Sequence, residues 1–324
     1  MQMETPMASL PTYTDVLLAR QTIAPYLRPT PLYYYKGLSD AVGAQIWVKH
    51  ENHQPIGAFK VRGGVNFMAH FPPDKRPAGV ITASTGNHGQ SVAYAAQLFG
   101  VRAIVAMPNG ANPVKVEAIR NLGAEIRFVG HDFDDCRQYV EDAARSDGLY
   151  YLSSGDEPLL IAGVATHTLE IVETLPDVEV IIVPVGGGSG AAGACLVAKT
   201  VNPKIQVIGV QSEAAPAAYQ TWKEGRRVEA ATRTFAEGLA TRTSFDLPQT
   251  ILRRDLDEFI LVSDDELRAA MRLTIEKTRN LVEGAGAAPL AAACKICDRL
   301  RGRRVALIMS GGNVTLAGLK ELFV

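Results

Sequence analysis

The chain has 324 residues, 47% of them hydrophobic and 21% charged, with a formal net charge of -1. That length accommodates two domains around separate cores, and so balanced a charge creates no field for a polyanion, so nucleic acid is not an expected partner. No apolar run is long enough to cross a bilayer, and no basic segment precedes an apolar one at the start, so a cytoplasmic protein with no membrane partner is expected.

In chain order, the first unusual stretch is ENHQPIGAFKVRGG, residues 51–64, which sets Lys60 between Phe59 and Val61. A lysine held in an apolar or phosphate-bearing pocket loses its proton near neutral pH and becomes a nucleophile toward carbonyls. The ordinary alternative is a lysine that snorkels from a helix to solvent. From residue 79 onward, short β-branched runs alternate with amphipathic stretches. GVITAST, RAIVAMP, EIRFVG, EVIIVPVG, IQVIGVQ and RVALIMSGG read as strands, while GQSVAYAAQLFG, PVKVEAIRNLG, DDCRQYVEDAARSDG and LLIAGVATHTLEIVETLP read as helices. The alternation predicts an α/β protein with parallel-rich sheets flanked by helices. Lys223 to Thr234 is a polar connection expected on the surface. Cys294 and Cys297 fall in an alanine-rich helical stretch, so they read as packed thiols, and no second pair completes a zinc site.

Three strands end in small, polar turns that lead toward helices, and ligands gather at such carboxyl ends. ASTGNHGQS, Ala83 to Ser91, offers Ser84, Thr85 and Asn87 as neutral donors for a carboxylate; equally, Ser84 or Thr85 caps the helix. VGGGSGAAG, Val185 to Gly193, uncovers backbone amides at a helix start and suits a phosphate. Gly188, Gly190 and Gly193 also fit a dinucleotide fingerprint, with Glu213 about 20 residues on. SGGN, Ser310 to Asn313, leaves a hydroxyl at a strand end, and Glu283 is a carboxylate among small apolar residues. His50, His53 and His88 show no metal-binding spacing and read as hydrogen-bonded structural histidines.

Lys49, Glu51, Gln54, Pro55, Phe59, Lys60, Arg62 and Gly63, in that order, resemble the cofactor-lysine segment of the serine/threonine dehydratase and serine racemase family, which are fold type II pyridoxal-phosphate enzymes. The other three turns match the same family in the same order, so the resemblance runs from about residue 29 to the C-terminus. It implies a large cofactor-binding domain, residues 1–78 and 151–324, and a smaller domain inserted at 79–150. It implies that Lys60 binds pyridoxal 5'-phosphate covalently and later carries the Cα proton, with Phe59 flanking the ring. Gly186, Gly187, Gly188, Ser189 and Gly190 would hold the phosphate, Asn87 the ring hydroxyl, and Ser84, Thr85, Asn87 and His88 the substrate carboxylate. Ser310 would face the pyridine nitrogen with Glu283 nearby, and Arg242 in AEGLATRT would reach a second substrate carboxylate. The activity implied is β-elimination of water from a β-hydroxy amino acid such as threonine or serine, in a homodimer or homotetramer.

Several positions depart from the family pattern. Thr85 stands where racemases carry a serine, and a β-branched hydroxyl has restricted rotamers, which favours dehydration over racemisation. Gln211 and Ala217 occupy the positions of a divalent-cation site, so no metal is expected, and Ser189 replaces a glycine. With the sequence ending at Val324, the regulatory domain of biosynthetic threonine dehydratases is not expected. Two rivals remain: an NAD-dependent oxidoreductase resting on the glycine fingerprint, and a binding protein that keeps the fold without turnover.

Overall fold

The computed structural model describes residues 9–323. Its strands are β1 (Leu32–Tyr34), β2 (Gln45–His50), β3 (Val80–Ala83), β4 (Ala103–Met107), β5 (Glu125–Phe128), β6 (Tyr150–Tyr151), β7 (Val180–Pro184), β8 (Gln206–Ser212), β9 (Glu258–Val262) and β10 (Arg304–Met309). They form a six-stranded sheet ordered β1-β2-β10-β7-β8-β9 and a four-stranded sheet ordered β5-β4-β3-β6. Only the edge pair β1/β2 is antiparallel; the remaining pairings are parallel. Parallel strands need helical crossovers that cover both faces, which is why β4 and β7 are continuous apolar runs with almost every residue buried.

Five of the six strands read from the sequence lie within their segments, and β8 runs one residue past its own, to Ser212; of the four helices, Pro113–Asn121 lies within its segment, while Asn87–Phe99, Phe133–Asp147 and Pro158–Thr174 each begin one or two residues earlier. β1, β2, β6 and β9 were not expected. The alanine-rich stretch is one helix, Gly284–Lys295, followed by a separate short turn, Cys297–Leu300.

One apolar cluster lies on each face of each sheet. Val61, Val65, Phe67 and Met68 of the helix Lys60–His70 belong to the cluster of the smaller sheet, whereas β2, which leads into that helix, belongs to the larger one. Lys60 therefore stands where the chain crosses between the sheets. Gly64 permits that crossing to be tight: a Cβ there would collide with the Ser91 side chain on Asn87–Phe99. The carboxyl ends of β3, β7 and β10 face the same gap.

Candidate active site

An open cleft of about 900 Å³, mouth included, lies between the sheets. Lys60, the three turns after β3, β7 and β10, and the segment Glu237–Phe245 line it. Lys60 is the first residue of its helix, half-buried, with its amine 5.2 Å from the centre of the Phe59 ring. The amine donates to Ser189 Oγ at 2.8 Å and, at 3.4 Å, to the Ser154 carbonyl. With no carboxylate among these partners, burial pushes its pKa down to about 8. A substantial fraction is therefore the neutral, nucleophilic amine near physiological pH.

Opposite the amine is the glycine turn. Gly188 adopts φ +92°, a left-handed conformation that glycine takes without penalty, and opens the helix Ser189–Val201 toward the cleft. At Gly186 a side chain would collide with the Gly238 carbonyl, so the turn and the segment from Glu237 are in backbone contact. Phe59 packs beside Gly190, 3.2 Å from the place a Cβ would occupy. The third glycine of the fingerprint, Gly193, serves close approach to Ala165 on Pro158–Thr174. Gln211 binds protein backbone, accepting from Tyr219 N–H at 3.0 Å and donating to the Leu239 carbonyl at 3.4 Å, and Ala217 is buried.

The turn after β3 divides its work. Ser84 Oγ accepts the N–H groups of Gly86 (3.1 Å) and Gly89 (2.8 Å), so this hydroxyl is engaged in closing the turn. Thr85 and the start of Asn87–Phe99 line the cleft. His88 also lines it, but its Nε2 is engaged with Thr82 Oγ1 at 2.9 Å, and burial pushes its pKa down to about 3, so the ring is neutral. Asn87 Nδ2 donates to Glu283 Oε1 at 2.7 Å, and Asn87 Oδ1 accepts from Asn313 at 2.8 Å. That amide is thereby held in one orientation. Burial raises the Glu283 pKa, opposed by the charge of Lys115 and the bond from Asn87. Ser310 is 4% exposed, lines the cleft, and its carbonyl accepts the Phe59 N–H at 2.9 Å.

Behind Lys60 the motif residues form a buried charged network. Arg62 donates to both oxygens of Glu51 (2.7 and 2.8 Å) and of Glu170 (2.6 and 2.8 Å), and Lys49 bonds Glu170 and the Thr30 carbonyl. Thr30 and Thr166 complete it. Burial alone would raise the Glu51 pKa, but the Arg62 charge and hydrogen bonds hold it down at about 2. Thr30, Thr166 and Glu170 were not read from the sequence, nor were Lys115, Glu237, Ser154 and Phe245 in the cleft.

Arg242 is not brought to the cleft. Its guanidinium pairs with Asp132 at 2.7 Å and Asp134 at 3.6 Å across the gap between the sheets, and with Glu229 at 3.2 Å on its own side. Lys115 forms a second cross-gap pair with Glu237.

A buried amine facing a helix N-terminus puts two positive ends together without a protein anion, and the glycine turn leaves backbone donors uncovered. This suits a ligand carrying both a carbonyl and a phosphate, so the residues fit pyridoxal phosphate. The fold and cleft thus define an α/β enzyme of lysine–carbonyl chemistry. The family model described as pyridoxal-phosphate dependent enzyme matches residues 23–311, and the chain belongs to that family. This sets aside the dinucleotide reading of Gly188, Gly190, Gly193 and Glu213. The chain is 38% identical over 305 residues to an L-threonine ammonia-lyase of Thermotoga maritima, covering 94% of this chain and 76% of that protein. It is 35% identical over 308 residues to an L-threo-3-hydroxyaspartate ammonia-lyase of Saccharomyces cerevisiae, covering 95% and 94%. Among solved structures, maize serine racemase superposes with a TM-score of 0.91 at 29% identity, covering 97% of each chain.

Proposed function

We propose that this enzyme eliminates water from a β-hydroxy amino acid, threonine or serine, releasing an enamine whose hydrolysis takes up one water and gives a 2-oxo acid and ammonia. The observation that carries the reading is the buried amine of Lys60, at 2.8 Å from Ser189 in the glycine turn and shifted toward its neutral form. The likeness to ammonia-lyases over more than nine-tenths of the chain supports it. When bound, pyridoxal phosphate supplies an electron sink that acidifies the Cα proton of an amino acid.

Each residue then has an assigned task. The backbone N–H groups of Gly186, Gly187, Gly188, Ser189 and Gly190, with the helix behind them, hold the phosphate. Phe59 flanks the ring and Asn87 gives its remaining amide N–H to the ring hydroxyl. Thr85 and the backbone donors beginning Asn87–Phe99 receive the substrate carboxylate, with Ser84 and His88 supporting that turn. Lys60 Nζ takes the Cα proton. Ser310 is assigned to the pyridine nitrogen with Glu283 nearby; a hydroxyl there does not hold a proton on nitrogen as a carboxylate would, which favours early loss of the β-hydroxyl. Arg242 and Lys115 latch the two lobes, 79–150 against the remainder, over bound substrate. Assembly into dimers or tetramers and a cytoplasmic location belong to the same reading; unpaired thiols at all four cysteines support a reducing compartment.

A second reading, racemisation, draws on the likeness to maize serine racemase and on the hydroxyl of Thr85 in the cleft. One experiment tests the main reading. Purified protein, supplied with pyridoxal phosphate, is offered threonine, serine, 3-hydroxyaspartate and phenylserine while 2-oxo acid and ammonia are measured. Release of both from at least one, abolished with the cofactor's absorbance band in a folded Lys60→Ala variant, supports it. Release from none sinks it.

A further inference from the structure

Ser189 sits in an unusual position for a serine at a helix start. Gly188, which has no side chain, occupies the capping position, and no side-chain cap bond forms there. Ser189 is the first helical residue, 2% exposed, and its Oγ accepts from Lys60 Nζ at 2.8 Å. The other bond of that amine, to the Ser154 carbonyl, is long at 3.4 Å and correspondingly weak. The position of the amine is therefore set by one hydroxyl.

We propose that Ser189 is a positioning residue for Lys60, holding the amine at the mouth of the glycine turn whenever that amine is not covalently engaged. The inference rests on Lys60 being the cofactor lysine. An Nζ–H to Oγ bond strengthens when the amine gains a proton, because the donor is then charged. The bond therefore favours the ammonium form and fixes where the proton is carried after it leaves Cα. Other groups in the cleft leave this bond as the polar control. His88, facing Lys60 from Asn87–Phe99, is neutral because burial pushes it down to about 3. Lys115 on Pro113–Asn121 and Glu237 on the opposite lobe are paired with each other. Glu283, before Gly284–Lys295, is raised by burial.

The test uses the full chain with pyridoxal phosphate, as wild type, Ser189→Ala and Ser189→Thr, and the β-hydroxy amino acid that the wild type turns over. Loss of a hydrogen bond to a charged group predicts a kcat lower by about tenfold or more in Ser189→Ala, with KM little changed. The limb of the kcat–pH profile set by the amine moves to lower pH, since the ammonium has lost its acceptor. The dissociation constant for pyridoxal phosphate, from spectrophotometric titration after dialysis, stays within about threefold, because Lys60 still captures the cofactor. Ser189→Thr, which keeps the hydroxyl, restores both profile and kcat. An unmoved pH limb together with weakened cofactor affinity assigns the hydroxyl to the phosphate and overturns the inference. So does an equal loss in both variants with a lowered unfolding temperature, which is a packing effect. A wild type that binds no pyridoxal phosphate overturns the reading of the cleft itself, which distinguishes the two failures.

Discussion

Glu51→Gln tests whether the buried network behind Lys60 sets the stability of the crossing segment. Glu51 is 0% exposed, receives two bonds from Arg62 and one from Thr30, and shares its charge with Lys49. Its pKa falls from 4.5 to about 2, and a depression of that size corresponds to about 3 kcal/mol of stability at neutral pH. Breaking a buried ion pair by removing one partner costs about 3–5 kcal/mol, so two separate arguments give the same magnitude. Glutamine keeps the shape and removes the charge, leaving Lys49 and Arg62 against Glu170 alone. Urea unfolding of both proteins at pH 7 should show a loss of about 3 kcal/mol with an unchanged slope. The pH dependence fixes the mechanism. A carboxylate with a depressed folded pKa contributes stability that is present above its unfolded value and lost as the pH falls through its folded value. The gap between wild type and variant should therefore hold above pH 4.5 and close as the pH approaches about 2. A loss below about 1 kcal/mol, the range of exposed pairs, refutes the argument. A gap that does not narrow in acid refutes it equally.

Three further outcomes follow from the cleft. Gly186→Ala forces a methyl group against the Gly238 carbonyl; pyridoxal phosphate should bind at least about tenfold more weakly, a difference of about 1.4 kcal/mol, and titration checks it. Arg242→Ala removes a residue held by Asp132, Asp134 and Glu229 outside the cleft. The ratio of kcat/KM for 3-hydroxyaspartate over threonine should stay within about twofold, as befits a group that does not touch substrate. Lys60 acts as a base only when unprotonated, and burial places its pKa at about 8. kcat should accordingly rise with pH through that region, and a rate flat between pH 7 and 9 contradicts the assignment.

Strands buried on both faces, such as β4 and β7, were legible because every residue in them is apolar. β2 was not, since Lys49 and His50 make it look like surface. The acid that neutralises Lys49 is Glu170, 121 residues away, and only the folded chain brings them together. β6, two residues long, is too short to show a period. The turns of the site were legible because glycines and small polar residues at strand ends are local signals. Lys115, Glu237 and Phe245 gave no such signal, and their place in the cleft comes from the meeting of the two sheets. Arg242 misled for the same reason: its neighbours in sequence approach the cleft, but Asp132, 110 residues earlier, captures the guanidinium. Ser84 illustrates a case where two local readings competed and the turn-closing bonds prevailed in the structure.

The most direct measurement is hydride reduction of the purified protein supplied with pyridoxal phosphate, followed by mass spectrometry of its peptides. The account predicts that the cofactor becomes permanently attached to the nitrogen of Lys60 and to no other lysine in useful yield. An unmodified Lys60, or attachment at a different lysine such as Lys115, contradicts it.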